Sequence, residues 1–543
     1  MTVGSSIRVL LPHWRDYRSV KRTWRGDILA GITVGIVALP LALAFGVSSG
    51  AGAESGVVTA IIAGIVAAVF GGSNIQVSGP TGAMVVVLGP VVAAHGVGVV
   101  ALVSLAAGIV VVVGGILRIG RVVSYIPWPV IEGFTLGIAV LIFLQQVPAA
   151  IGGTGGKSSN AFVSAIQSFG SIDPKAIGWT LGAVALVAAI MVLAPRIHPK
   201  LPGSLVGIVV VSVIAALANL PLARIGALPS SLPAPTLPAF DPTTSGTLVG
   251  PILTVAALAA IESLLSARVA STLADTGPYD PDRELVGQGL ASIASGFFGG
   301  MPATGAIART AVNVRSGGRT RLAAIVHALV LLGIVAVASG VVSQIPLAAL
   351  AGVLMVTSTR MVSLATVQSV VGSTRSDAIV FVVTAIITVS FDLIVAVGIG
   401  IAVAAFFALR TLAKSGGVHR EELPGAAQAG DEHIALFRLD GALFFGAAER
   451  MLEKVTQITG VDVVILRLSQ LQVMDATGAR VVTEMIHGLE RRGITVLVKG
   501  IQDRHLQLAT RVGVIGSLRH QKHLFDDLDA AIEHARTHVR VTS

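Results

Sequence analysis

From Ile28 to Leu117 the chain carries one charged residue, Glu54. Soluble chains carry roughly a quarter charged residues, so no water-soluble fold is compatible with this run. A helix crossing a bilayer needs about 20 mostly apolar residues, so the run alone holds several crossings. About fourteen apolar segments follow one another up to residue 413, and then the pattern stops. Residues 1–416 hold 23 Lys+Arg and 13 Asp+Glu, whereas residues 417–543 hold 15 and 16. The sequence therefore predicts a basic N-terminal segment (1–27), a transmembrane domain (28–415), a linker (416–432) and a soluble domain (433–540).

The net charge of +9 belongs to the membrane part. Basic residues flanking spans on the cytoplasmic side explain it, and no nucleic-acid partner is expected. Arg8, Arg15, Arg18, Lys21, Arg22 and Arg25 precede the first span and predict a cytoplasmic N-terminus. An even number of spans returns the C-terminus to that side, where Arg410 and Lys414 stand. Met1 to Asp27 lacks the apolar run of a cleavable signal peptide. The expected location is the cell membrane, in many passes. "IRVLLPHWRDY" (7–17) fits a surface helix or a basic arm equally well.

Two stretches interrupt the apolar pattern in nearly the same words: "FGGSNIQVSGPTGAM" (70–84) and "FGGMPATGAIART" (298–310). The segments that begin there, 80–94 and 305–315, are too short to span about 30 Å of hydrocarbon. "GDILAGITVGIVALPLA" (26–42) and "GTLVGPILTVAALAAIE" (246–262) each precede a broken stretch by a similar distance. Short, Gly/Pro-interrupted segments at matching places in two halves predict an inverted repeat of seven plus seven spans, with a site at the midplane. A helix that starts inside the membrane leaves its first N–H groups unpaired. With the positive end of the helix dipole they suit a small anion. Ser78, Thr81 and Thr304 add hydroxyls, the glycines allow close approach, and Pro80 and Pro302 are tolerated near helix starts. Structural kinks packed through small residues are the competing reading; they give no reason for the duplication.

Glu262 sits mid-span in "AAIESLLSARVAS". An ionisable residue there is a functional candidate, able to carry a proton or, among oxygens, to ligate Na⁺. Pairing with Arg268 or Arg309 is the structural alternative. Arg309 follows the second broken stretch and would add positive potential. Glu132 reads as a span entrance, Glu54 as a loop residue, and His95 and His327 as lone histidines near span ends. In the tail, His520, His523, His534 and His538 match no standard zinc spacing and read as a solvated basic surface. No phosphate-binding loop GxxxxGK[ST] occurs and no Ser/His/Asp arrangement is apparent, so neither an ATP-driven pump nor an enzyme is expected. The chain has no Cys, so disulfides play no part.

The tail alternates strands and helices, as a small α/β domain does. "HIALFRLDGALFFG" reads as two strands around a turn at Asp440-Gly441. "AAERMLEKVTQI" reads as a helix, "VDVVILRLSQL" as a strand and "TGARVVTEMIHGLERRG" as a helix. "ITVLVKGI" then reads as a strand and "DDLDAAIEHARTHV" as a closing helix.

Residues 39–83, "LPLALAFGVSSGAGAESGVVTAIIAGIVAAVFGGSNIQVSGPTGA", resemble the signature region of the sulfate permease (SulP) family of anion transporters. The tail, with "VMDATG" at 473–478, resembles that family's C-terminal STAS domain. The resemblance covers nearly the whole chain. It implies core and gate helices in a 7+7 inverted repeat, usually in a homodimer. It places the anion between the third and tenth segments, here Ser78, Gly79, Pro80, Thr81, Gly82 and Ala83 with Gly305, Ala306 and Ile307. Arg309 matches a basic residue near the anion in some members. Where bicarbonate-transporting members bind Na⁺, this chain has Glu262 and Ser266 with Gly305, Ala306 and Ile307. The family's sodium pattern has Asp and Thr on the eighth segment and a hydroxyl at the position of Ile307, so the resemblance favours H⁺ over Na⁺ here. Pro40-Leu41-Ala42-Leu43-Ala44-Phe45 is similar to bicarbonate-type members rather than to sulfate transporters, which adds Phe45 to the site. Ala476 stands where related regulatory domains are phosphorylated, and Thr477 reads as a helix N-cap.

The expected function is a secondary active transporter of bicarbonate, sulfate or a dicarboxylate, by alternating access and with H⁺ or Na⁺ as its coupling ion. No other cofactor is expected. The lipid bilayer, the anion, a second copy of the chain and a cytoplasmic protein at the STAS domain are the expected partners. An anion channel or voltage-responsive protein, a membrane-anchored STAS scaffold and a nucleobase permease are the competing readings; permeases of that last kind lack this tail.

Overall fold

The computed structural model describes residues 10–153, 160–172, 174, 176–198, 201–238, 242–390, 393–415, 417–443, 451–455 and 457–539. The chain forms two compact units, Met1–Ala402 and Val403–Ser543.

The membrane unit opens with α1 (Val20–Ser48), α2 (Ala53–Phe70), α3 (Gly82–His95), α4 (Val99–Ile116) and α5 (Trp128–Ala150). The short α6 (Ala161–Ser168), then α7 (Ile177–Ile197) and α8 (Gly203–Leu217), complete the first half. The second half repeats this order with α9 (Pro242–Leu273), α10 (Pro281–Phe297), α11 (Ile307–Arg315), α12 (Arg321–Val342) and α13 (Leu347–Met361). The short α14 (Leu364–Ser373) and α15 (Arg375–Ser390) follow, and α16 (Leu393–Ser415) carries the chain across the boundary at Ala402 into the second unit. Each half thus has seven spanning elements and one short helix, α6 or α14, between its fifth and sixth. That is the 14-span inverted repeat. Among the described residues nine helices are long and apolar enough to cross a membrane by themselves, and α3 and α8 are shorter apolar helices.

Lipid tails are as apolar as leucine, so helices in a membrane associate by close packing of small residues. Gly31 and Gly35 press α1 against α12, where an added Cβ would lie 2.6 Å from the Ala323 carbonyl and 2.8 Å from Val330 Cγ1. Gly108 and Gly289 do the same between α4 and α10, and Gly133 and Gly137 between α5 and α15. Helices α1, α2, α4 and α9–α12 pack among themselves, while α5 packs with α13 and α15, and α7 with α8 and α13. Glu54, read as a loop residue, lies in the first turn of α2, where an acid suits the dipole. Glu132 is the fifth residue of α5, accepting from the Trp128 indole at 2.9 Å. His95 is in the last turn of α3, and His327 is fully buried on α12. Of the 7–17 stretch, Trp14–Tyr17 form one 3₁₀ turn, and residues 7–9 lie outside the described residues.

The soluble unit is a five-stranded sheet of β3 (Gly417–Glu421), β4 (Ile434–Leu443), β5 (Val463–Met474), β6 (Thr495–Lys499) and β7 (Leu524–Phe525), in that order. Two short strands of the membrane unit, β1 (Ser78–Gly79) and β2 (Thr304–Gly305), precede these in the chain. β3 pairs antiparallel with β4 and the other pairs are parallel. Two expectations are corrected here. Asp440-Gly441 is no turn: β4 runs through it, absorbing the glycine as a register irregularity against β5. Part of the expected linker, residues 417–421, is an edge strand. Its Glu421 accepts from Arg438 at 2.6 Å and Arg467 at 3.0 Å, so the polar sequence reflects a charged edge. Side chains alternate along β4: Ala435, Phe437 and Leu439 pack with α17 (Ala476–Arg491), and Ile434 and Leu436 pack with α19 (Leu528–His538). The helix α18 (Asp503–Val512) lies between them in sequence and packs against α17. Residues 451–455 are helical, and the start of that expected helix, 447–450, lies outside the described residues. Arg536 donates twice to Asp431, both at 2.9 Å, and holds that carboxyl below its ordinary range.

Thr477 does not cap α17. Asp475 does, its Oδ1 accepting from Gly478 N–H at 2.7 Å. Replacing such a cap by alanine typically costs about 1 kcal/mol. Asp475→Ala should therefore lower the melting temperature of the soluble unit by roughly 2–5 °C, read by calorimetry on the full chain. Thr477→Ala should move it far less.

Candidate anion site

Both broken stretches run extended through the membrane unit before their helices begin, and their backbone groups find protein partners. In β1 (Ser78–Gly79) and β2 (Thr304–Gly305) the two stretches pair antiparallel, Ser78 opposite Gly305 and Gly79 opposite Thr304. Ala306 N–H donates to the Val77 carbonyl at 2.8 Å, and Val77 N–H to Thr310 Oγ1 at 3.0 Å. Glu284 accepts from Gly72 and Ser73 N–H at 2.7 and 3.0 Å, fixing the point where α2 ends. Gln288 links that carboxylate to the site by donating to Glu284 Oε1 (2.9 Å) and to Ser78 Oγ (2.5 Å).

The helices α3 and α11 thus start side by side from one small sheet. Thr81 precedes α3 and Ala306 precedes α11, and no side chain caps either helix. The Thr81 hydroxyl is directed elsewhere. It donates to Glu262 Oε2 at 2.7 Å, and the Thr304 hydroxyl donates to the same oxygen at 2.9 Å. The carboxylate from α9 therefore stands against both half-helix starts, tied to these threonines rather than to Arg268 or Arg309. Gly305 N–H donates to Ser263 Oγ at 3.0 Å, next to Glu262 in sequence. Ser266, one turn on, is fully buried and its hydroxyl has no partner.

Arg309 is 2% exposed. One Nη donates to the Pro80 carbonyl at 2.5 Å, and the other is buried without a partner. That group packs on Gly79, where an added Cβ would lie 2.6 Å from it; only glycine admits the guanidinium here. A buried cation with an unpartnered donor is costly unless an anion completes it.

Phe45 and Ile142 close over the start of α3. At Gly82 an added Cβ would meet Ile142 Cδ1 at 2.2 Å and Phe45 Cε1 at 3.5 Å. Beyond them, cavities of about 910 and 460 Å³ run along α3 past Pro90, between α5 and α9 or α13. Gln145 lines both cavities, and neither is lined by residues 78–83 or 304–307.

The structure brings Thr81, Thr304, Glu262, Ser266, Gly79, Pro80, Gly305 and Arg309 together. Phe45, Gly82 and the next residue of α3, the buried Ala83, form the α3 side. Ile307 opens α11 and is 44% exposed. Ser78 is nearby, but its hydroxyl faces Gln288. Sequence reasoning missed Glu284, Gln288, Gln76, Ser263 and Thr310. The one available signal was Glu284 and Gln288, an i, i+4 polar pair at the edge of an apolar segment. Removing the Glu284 carboxylate leaves the buried Gly72 and Ser73 N–H groups unpaired and takes one acceptor from Gln288, which keeps Ser78. Each such group costs about 1–3 kcal/mol, so Glu284→Ala should lower the melting temperature markedly, with Gln288→Leu milder. Thermal unfolding in detergent measures both.

The sulfate permease family model matches residues 24–384, and the STAS domain model matches residues 427–531. YvdB of Bacillus subtilis (strain 168) is 33% identical over 518 residues, covering 93% of this chain and 96% of that protein. The bicarbonate transporter BicA of Picosynechococcus sp. is 31% identical over 489 residues, 84% of this chain and 85% of BicA. The structure of SLC26A9 superposes with a TM-score of 0.79 at 18% identity, covering 98% of this chain and 94% of that one.

Proposed function

We propose that this chain, which belongs to the sulfate permease family, moves a small anion across the cell membrane as a secondary active transporter working by alternating access. The observation that carries the reading is the meeting of two half-helix starts, a buried arginine and one carboxylate at the same place. The anion is held between residues 78–83 and 304–307, with Arg309 beneath it. Bicarbonate, sulfate and small dicarboxylates are the candidate substrates, since N–H groups and hydroxyls read charge and size. Sulfate is the substrate in the family's name, and bicarbonate that of BicA.

Glu262 supplies the coupling. As an ionised carboxylate it accepts from both threonines and repels an arriving anion. Like charges about 4 Å apart at an effective dielectric constant near 20 repel by about 4 kcal/mol. A proton on Glu262 removes that repulsion and turns one threonine hydroxyl free to face the anion. Proton and anion then bind together, and linkage makes the effect reciprocal. The orphaned Ser266 hydroxyl supports a second coupling ion, Na⁺, among the oxygens of Glu262, Thr81, Thr304 and Ser266. The helices packed around α3 and α11 carry the site while the α5–α13–α15 group stays as the gate. Both termini lie in the cytoplasm, and the working unit is a homodimer.

The chain reconstituted in proteoliposomes should show saturable uptake of radiolabelled bicarbonate, sulfate or fumarate, and counterflow when the same anion is loaded inside. Flux that never saturates, without counterflow, would point to a channel. No flux of any of the three would return the STAS scaffold as the leading reading.

A further inference from the structure

Of the four tail histidines, read from their spacing as a solvated surface, His520 is exposed, His534 is half-buried, and His523 is buried. His520 and His523 precede β7, and His534 and His538 lie one turn apart on α19. His523 is 2% exposed. Its Nδ1 is buried without a partner, while the ring hydrogen-bonds the backbone of Val496. A ring held through one nitrogen by the backbone keeps the other available to a ligand, as the outer partners of metal-bound histidines do. Ring nitrogens of His523, His534 and His538 all lie within 4.8 Å of one another.

The pair on α19 is closer still, Nε2 to Nε2 at 3.3 Å. Two nitrogens bound at about 2.0–2.1 Å to one tetrahedral ion stand about 3.3 Å apart. Two histidines at i and i+4 on one helix face form a chelating pair of known use. Phe525 packs on His534 with ring centroids 5.4 Å apart, and His520 stands edge-on to His523 at 5.5 Å, which walls the cluster on two sides. Imidazole nitrogens without carboxylates suit Zn²⁺, Ni²⁺ and Cu²⁺, not Mg²⁺ or Ca²⁺.

We propose that His523, His534 and His538 bind one divalent first-row transition metal ion, Zn²⁺ foremost, in the soluble domain. The ion ties α19 to the turn before β7. Water or His520 fills the fourth position.

The test uses the full chain, purified through a tag without histidine and stripped with chelator. After equilibration with Zn²⁺ and removal of excess, metal analysis should find about one ion per chain. Zn²⁺ should also raise the melting temperature of the soluble unit. His534→Gln with His538→Gln should weaken Zn²⁺ binding at least tenfold, about 1.4 kcal/mol, and remove the thermal shift. His487→Gln, at an exposed helix position, should change neither. Melting without metal shows whether the double variant is folded; if it is not, His538→Asn alone provides the same comparison. Equal Zn²⁺ binding by wild type and folded variant, or no stoichiometric ion in the wild type, would overturn the proposal.

Discussion

Glu262→Gln should uncouple anion uptake from the proton gradient while leaving anion exchange in place. The amide keeps the length of the side chain and accepts from a threonine, so the half-helix starts stay together. It carries no charge in either state, so the anion meets neither repulsion nor its relief. With one proton per monovalent anion, one unit of ΔpH drives up to about tenfold accumulation, since one pH unit is worth 1.36 kcal/mol. In proteoliposomes the wild type should approach that limit and the variant should equilibrate without concentrating. Exchange of labelled for unlabelled anion should continue in both. If the variant still concentrates the anion on ΔpH, the proton travels through another group. If wild type responds to Na⁺ alone, the oxygens around Ser266 hold the coupling ion instead, and Ser266→Ala becomes the decisive variant.

Arg309→Gln should have the larger effect on affinity. Its unpartnered Nη is the one buried cationic donor next to both half-helix starts among the described residues. At an effective dielectric constant near 20, a cation about 4 Å from an anion contributes about 4 kcal/mol. Its loss should raise the anion's KM by 100- to 1,000-fold, with a smaller change in maximal rate. Arg309→Lys keeps the charge but loses the planar fork that reaches Pro80 and the site together, so it should fall between wild type and Arg309→Gln. A variant with unchanged KM would make Arg309 a structural brace for Pro80 and nothing more.

The parts of this site that were legible in the sequence are those that break a pattern. Gly and Pro interrupt apolar runs at 70–84 and 298–310, and Glu262 is a lone acid in a long span. Each violates a local rule, and a membrane allows such violations only where protein satisfies them. What stayed hidden depends on partners far away in the chain. Gln288 looks like any polar residue of a helix until it meets Ser78, 210 positions earlier. His523 looks like surface until α19 brings His534 and His538 to it. Asp440-Gly441 has the local chemistry of a hairpin turn, and pairing with β5 overrides it. The 7+7 repeat was legible because it repeats; the equivalence of α6 and α14 was not, because helices of 8 and 10 residues are too short to stand out from the apolar segments beside them.

The central claim is that the anion occupies the space between the starts of α3 and α11. The chain has no cysteine, so Ile307→Cys places a single thiol at the first residue of α11, on a side chain that is 44% exposed. The measurement is the rate at which a small charged thiol reagent modifies that residue, with and without the transported anion at saturating concentration. Slowing by fivefold or more, reversed in Arg309→Gln at the same anion concentration, is the result the account predicts. An unchanged rate under conditions where the same protein transports the anion would contradict it.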